Sequence, residues 1–230
     1  MKYKAVIFDL FGTLVDNYDY IGYASALRET SSILKLHHED FMRLWKETAI
    51  KRTTGGFKTL EENLVYICRE LNVPVKQFDI NLARMVRLDY VALSLAPRKY
   101  FIETLSQLKT DGYKVGLISN CSMEVPMLWP NTPFAPFFDV PLFSSTTGIV
   151  KPDARIFQMA AEQLGVNPED CLFVDDNSVN LTAAAALGMG AVLYAAPEEV
   201  EPGVPVKKQE IPWEGPSIKS IEETLDMLVG

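Results

Sequence analysis

Nothing constrains the fold of this chain more than its first fifteen residues, where the apolar run Val6-Ile7-Phe8 meets Asp9 and continues as Leu10-Phe11-Gly12-Thr13-Leu14-Val15. An apolar run without polar alternation, cut off by a carboxylate and then Gly-Thr, has the pattern of a strand buried on both faces in a parallel sheet. Such a strand delivers Asp9 to its carboxyl end, which is where open α/β sheets bind ligands. A lone strand cannot bury two apolar faces, so the rest of the sheet must come from elsewhere in the sequence.

The partner strands come late. From about Tyr18 to Leu93 the sequence carries helical periodicity, with helices expected over 20–34, 38–51, 59–71 and 75–91 and a break at Thr53-Thr54-Gly55-Gly56. Beyond Pro97 strands are expected over 114–119, 171–175 and 191–194, with helices over 98–110, 153–164 and 179–187. Strands that alternate with helices imply an α/β fold, a doubly wound parallel sheet of the Rossmann-like kind. The expected organisation is therefore a core from residues 1–16 and 94–230, with a helical cap inserted at 17–93. An insertion that departs just past Asp9 would sit above it as a lid. The Pro-rich stretch 197–216 reads as a loop wrapping the core, ahead of a last helix near 218–228.

Composition excludes some partners. With 230 residues and 48% hydrophobic content the chain can bury a full core. The formal charge of −8, with 22 basic residues spread along the chain, argues against a nucleic-acid surface and for a small-molecule substrate. No apolar stretch approaches the roughly 20 residues of a membrane span. Asp9 interrupts the first apolar run too early for a secretory leader, and three widely spaced cysteines do not make a disulfide framework. The expectation is a cytoplasmic protein with reduced thiols, and Cys121 reads as a small packing residue because no base lies beside it in sequence.

Four separated segments, Asp9-Leu10-Phe11-Gly12-Thr13, Ser119-Asn120, Lys151-Pro152 and Asp175-Asp176-Asn177-Ser178-Val179-Asn180, resemble in type and order the motifs of the haloacid dehalogenase superfamily. With the expected helical cap, the resemblance is to the subfamily I type. It implies that Asp9 is the nucleophile of a covalent acyl or acyl-phosphate intermediate and that Thr13 partners the transferred group. It also implies that Ser119, with Asn120 beside it, hydrogen-bonds the substrate anion, while Lys151 offsets the charge that gathers there. The acidic pair would hold Mg2+, with Asp9, the main-chain carbonyl of Phe11 and Asp176 as the ligand set, in keeping with the preference of magnesium for oxygen donors.

Two departures pull in opposite directions. Phosphatases of the superfamily carry a second aspartate two residues after the nucleophile as general acid and base, and here that position is Phe11. The family's 2-haloacid dehalogenases carry an aromatic residue there, since halide leaves without a proton, and Trp45-Lys46 resembles their Trp-Arg pair, which makes Lys46 a candidate substrate contact. Those enzymes, however, show Ser-Ser-Asn-x-x-Asp where this chain has Asp175 to Asn180, and the charge of Asp176 would repel a carboxylate substrate unless a metal neutralises it. The balance favours a magnesium-dependent phosphatase acting on a small phosphorylated metabolite with a good leaving group. A metal-independent 2-haloacid dehalogenase is the alternative, and a phospho-ligand binding module with little turnover a further one. Arg43, Lys51 and Arg52 read as a solvated helix face, His37 and His38 as surface residues, and Asn180 as a structural partner.

Overall fold

A computed structural model of the chain describes residues 2–195 and 212–228. Strand β1 (Ala5–Phe8) lies between β2 (Lys114–Ser119) and β4 (Cys171–Asp175); β3 (Val140–Phe143) extends the sheet beyond β2, and β5 (Gly190–Tyr194) and β6 (Ser217–Ile218) beyond β4. Every pairing is parallel, with Phe8 level with Leu117 on one side and Val174 on the other. The strands that carry the Asp9, Ser119 and Asp175-Asp176 motifs are thus immediate neighbours whose carboxyl ends open at one edge of the sheet.

The continuous apolar runs are explained by layers on both faces. Successive side chains of a strand point to opposite sides, so Val6 and Phe8 pack with Leu117, Val174 and the helix α6 (Phe101–Thr110), while Ala5 and Ile7 pack with Phe173, α9 (Ala154–Leu164) and α10 (Ser178–Ala186). Local signals bound these helices. Asp153 caps α9 by accepting from the Arg155 N–H, Gly165 ends it at φ +66°, and Asn177 caps α10 by accepting from the Val179 N–H. Two short helices, α7 (Glu124–Leu128) and α8 (Ser144–Thr147), lie in the chain after β2 and β3.

The stretch between β1 and α6 is helical: α1 (Tyr20–Ile33), α2 (His38–Glu47), α3 (Ala49–Thr53), α4 (Leu60–Glu70) and α5 (Gln77–Ser94). These helices enclose an apolar cluster of their own around Leu27, Phe41, Leu44, Trp45, Leu64, Ile67 and Ile80. The C-terminal turns of α5 leave that cluster, and Val91 joins the core beside Leu95.

Three expectations require correction. The helix expected over 38–51 breaks at Thr48, whose hydroxyl bonds back to the carbonyls of Leu44 and Trp45, and resumes as α3. Strand β3 was not expected, because Pro141 weakens its strand pattern; as an edge strand bonded only to β2 it tolerates the proline. The helix expected near 218–228 is instead the short strand β6 followed by two 3-10 turns, Ile221–Thr224 and Asp226–Leu228, since pairing with β5 takes up the first residues of the segment. The loop expected over 197–216 lies mostly outside the described residues. Among the described residues, no helix is long and apolar enough to cross a membrane.

Candidate active site

Asp9 lies one residue past β1, its N–H bonded to the Val174 carbonyl of β4 at 2.9 Å. The chain then turns sharply, with the amides of Leu14 and Val15 both bonding to the Leu10 carbonyl. Gly12 makes this turn at φ +88°, and a Cβ there would stand 2.3 Å from Oδ2 of Asp176, so only glycine lets the loop pass so close to that carboxylate. The main chain is thereby shaped around the acidic cluster before any side chain is considered.

Around Asp9 gathers a charged group with little access to water. Lys151 Nζ donates to Asp9 Oδ1 at 2.5 Å and to Asp175 Oδ2 at 2.7 Å, and the three residues are 5%, 7% and 0% exposed. Asp175 also accepts from the Asn177 main-chain N–H at 2.7 Å and from Asn180 Nδ2 at 3.2 and 3.0 Å, so both its oxygens are engaged in orienting neighbours. Asn120 ties two loops together: its Oδ1 accepts from the Lys151 N–H at 2.8 Å and its Nδ2 donates to the Lys151 carbonyl at 2.9 Å. Lys151 is therefore fixed at its backbone by Asn120 and at its tip by two carboxylates.

The electrostatics follow from burial and crowding. Burial pushes the Asp9 carboxyl up to about 7, against the pull of Lys151 and with the support of the Asp175 and Asp176 charges. Burial likewise raises Asp175. Lys151 is raised because the attraction of Asp175 and Asp9 together outweighs its own desolvation. Around Asp9, its own Oδ2, Ser119 Oγ and Thr13 Oγ1 are buried without a hydrogen-bond partner among the described residues. Unpaired buried groups are rare in folded proteins and mark strain or a waiting ligand.

A cavity of about 170 Å³ opens here, lined by Asp9, Phe11, Ser119, Asn120, Lys151, Asp176, Asn177 and Asn180. Carboxylate oxygens of Asp9, Asp175 and Asp176 lie within 4.8 Å of one another. Three carboxylates face one ammonium, and oxygen donors with excess negative charge suit a hard divalent cation. The chemistry of the donor set thus fits magnesium.

Most of the residues expected at the site from sequence meet at this cavity. Thr13 is fully buried in the turn behind Asp9. Lys46 lies on the exposed face of α2, outside the cavity lining, and Arg52 of α3, expected on a solvated face, is buried instead at 8% exposure. Arg52 Nη1 donates to the Trp45 carbonyl, Thr48 Oγ1 and Asn63 Oδ1, and burial lowers its guanidinium to about 10. Sequence reasoning also misses Arg87 and Glu124. The signal for Arg87 is its register, since Ile80, Ala83, Arg87 and Val91 form one buried stripe of α5, and a charge on such a stripe faces inward.

A family model described as haloacid dehalogenase-like hydrolase matches residues 3–188. The chain belongs to this family. Among curated relatives of this haloacid dehalogenase-like hydrolase, an (S)-2-haloacid dehalogenase from Pseudomonas sp. strain YL is 25% identical over 235 residues, covering 99% of this chain and 96% of the relative. A phosphatase of Mycobacterium tuberculosis, Phosphatase MT3486, is 30% identical over 210 residues, covering 89% and 93%. In fold, it is similar to a HAD family enzyme from Bacteroides thetaiotaomicron solved with magnesium and inorganic phosphate, with a TM-score of 0.64 and 21% identity over 84% of this chain and 94% of that one. The chain is an enzyme, a hydrolase of a family in which both dehalogenases and phosphatases occur.

Proposed function

We propose that this hydrolase is a magnesium-dependent phosphatase that uses Asp9 as a covalent nucleophile on a small phosphorylated metabolite, with residues 17–93 acting as a cap over the site. The observation that carries the reading is the unpaired Asp9 Oδ2 among three clustered carboxylates and a single lysine. A metal-free site for a carboxylate substrate gains nothing from the buried Asp175 and the half-buried Asp176 beside Asp9, whereas such a cluster of oxygen donors suits a cation. Asp9, the Phe11 main-chain carbonyl and Asp176 would hold the ion, with Asp175 beside them chiefly orienting Lys151. Bound there, magnesium supplies charge neutralisation for the phosphoryl group.

The chain's own residues divide the remaining work. Ser119 Oγ, buried and unpaired, donates to a phosphoryl oxygen; Lys151 lowers the repulsion between Asp9 and the incoming anion. Asp9 Oδ2 attacks phosphorus as the bond to the leaving oxygen breaks, and water then hydrolyses the aspartyl phosphate. Phe11 can neither donate a proton to the departing oxygen nor take one from water. The substrate therefore carries a leaving group that departs as an anion, as an acyl phosphate or an anhydride does, and the aspartyl phosphate accumulates during turnover.

One observation favours the second reading, a 2-haloacid dehalogenase: Phe11 lines the cavity where a phosphatase of the family has its proton donor. Metal dependence separates the two. Purified protein should release phosphate from acetyl phosphate with magnesium, lose that activity with chelator, and release it far more slowly from an alkyl phosphate. Chloride release from 2-chloropropionate in the presence of chelator, without phosphate release from any member of the panel, would overturn the phosphatase reading in favour of the dehalogenase.

A further inference from the structure

Behind Phe11, which lines the cavity, lies a stack of rings. Phe11 stacks on Tyr18 with centroids 4.5 Å apart, and Tyr18 lies 5.8 Å from Tyr90 and 6.0 Å from Tyr23. Behind these rings are two guanidinium groups. Arg87 lies 5.3 Å from the Tyr23 ring and 5.5 Å from that of Tyr90, and Arg52 lies 3.8 Å from the ring of Trp45. Both arginines are buried.

Their counter-charge is incomplete. Among the described residues the carboxylate paired with them is that of Glu124 on α7, 1% exposed, which meets Arg87 through one contact at 3.4 Å. That is long for a charged pair and lacks the two-pronged geometry that a guanidinium and a carboxylate adopt when free to do so. Arg87 Nε and Nη1 are buried with no partner. Arg52 spends Nη1 on a carbonyl, a hydroxyl and an amide oxygen, with no carboxylate among its partners in the described residues. Two desolvated cations thus share one poorly placed anion, an arrangement that burial penalises unless a further anion arrives. Ring faces offset part of the charge, but they do not satisfy donors in the guanidinium plane. A narrow hole of about 10 Å³, lined by Arg52, Asn63, Ser122 and Glu124 among others, lies at this seam between helical block and core. It is large enough for roughly one water, so an entering carboxylate must take the place of that of Glu124.

We propose that Arg87 and Arg52 form a carboxylate-recognition site, with Glu124 as its built-in competitor, and that the substrate is a small acid bearing a carboxylate as well as the group that reacts at Asp9. The short apolar stretch between its two ends lies along Phe11 and Tyr18. This assignment rests on reading the cavity as the catalytic site, and it names the class of molecule that the site accepts.

The test uses an unreactive probe, so binding is read apart from turnover. Butyrate and its neutral counterpart butyramide are titrated into the wild-type enzyme by calorimetry, with inorganic phosphate in magnesium as a separate arm. Butyrate should bind and butyramide should not. Glu124→Gln, which removes the competing charge, should tighten butyrate about tenfold, and the neutral double variant Arg87→Gln/Glu124→Gln should weaken it at least tenfold relative to Glu124→Gln, both with unchanged phosphate affinity. Equal binding of butyramide to the wild type overturns the proposal even if neither variant folds, as does unchanged or weaker butyrate binding in Glu124→Gln. Failure of the phosphate arm alone counts against the phosphatase reading and leaves the carboxylate site standing.

Discussion

Replacing Lys151 with methionine removes the ammonium held between Asp9 and Asp175 while keeping an unbranched chain of similar length. The two ion pairs that disappear measure 2.5 and 2.7 Å and join side chains that are 2%, 9% and 0% exposed. Breaking a buried ion pair by deleting one partner costs about 3–5 kcal/mol, because the remaining charges stay uncompensated. For a chain of this size that is roughly 6–20 °C in Tm. The loss should also depend on pH. In the wild type the folded Asp9 carboxyl is raised from 3.8 to about 7, so through this group the folded state binds more protons than the unfolded state across that window and stability falls as pH rises through it. Without Lys151 the carboxyl rises further and the window stretches upward. Lys151 itself is raised above 10.5, so its contribution is fully present from pH 5 to 8 and is lost only at higher pH, as the folded group deprotonates. The difference between wild type and variant should therefore be larger at pH 8 than at pH 5, by up to about 1.4 kcal/mol, the worth of the one pH unit between the wild-type value of about 7 and pH 8. Urea unfolding at both pH values, with chelator present, measures it. A loss below about 1 kcal/mol, or an equal loss at both pH values, would refute the claim that Lys151 offsets desolvated carboxylates.

Three further outcomes are expected. Because only ionised Asp9 can attack, single-turnover rates at limiting magnesium should rise as pH increases through about 7, and added magnesium should move that limb to lower pH; a flat profile between pH 5 and 8 contradicts it. Gly12→Ala would place a methyl group 2.3 Å from Asp176 Oδ2 at φ +88°, so magnesium-dependent activity should drop at least about tenfold, with a stability loss of about 1–3 kcal/mol seen by thermal melting. Burial pushes the Cys121 thiol up to about 12, so iodoacetamide at pH 8 should label it only after unfolding, as read by peptide mass spectrometry.

Much of this architecture was legible in the sequence because parallel strands buried on both faces leave unbroken apolar runs. Residues 114–119 and 171–175 were readable for that reason, the first ending at Ser119, which lines the cavity, and the second one residue before Asp176, which does so too. Val140–Phe143 was not, since Pro141 obeys the rules of an edge and an edge position is a property of the whole sheet. The four motif segments could be put in order, but the division of labour between Asp175 and Asp176 depends on which carboxylate Lys151 touches, and no local pattern encodes that contact. Arg52 shows the opposite limit. Beside Lys51 and Thr53 it has the neighbours of a solvated residue, and only packing of α3 against Trp45 and Asn63 turns it inward. Arg87 was readable in principle, as a charge on an otherwise apolar helical stripe.

The placement of β5 and β6 separates tolerance from constraint within one sheet. The residues lining the cavity come from the carboxyl end of β2, the loops that follow β1, β2, β3 and β4, and the first turn of α10, and none from these two flanking strands. Sequence drift along that flank can therefore retune how firmly the sheet holds together without disturbing the reacting groups, which makes it the natural place to engineer thermal robustness into this enzyme.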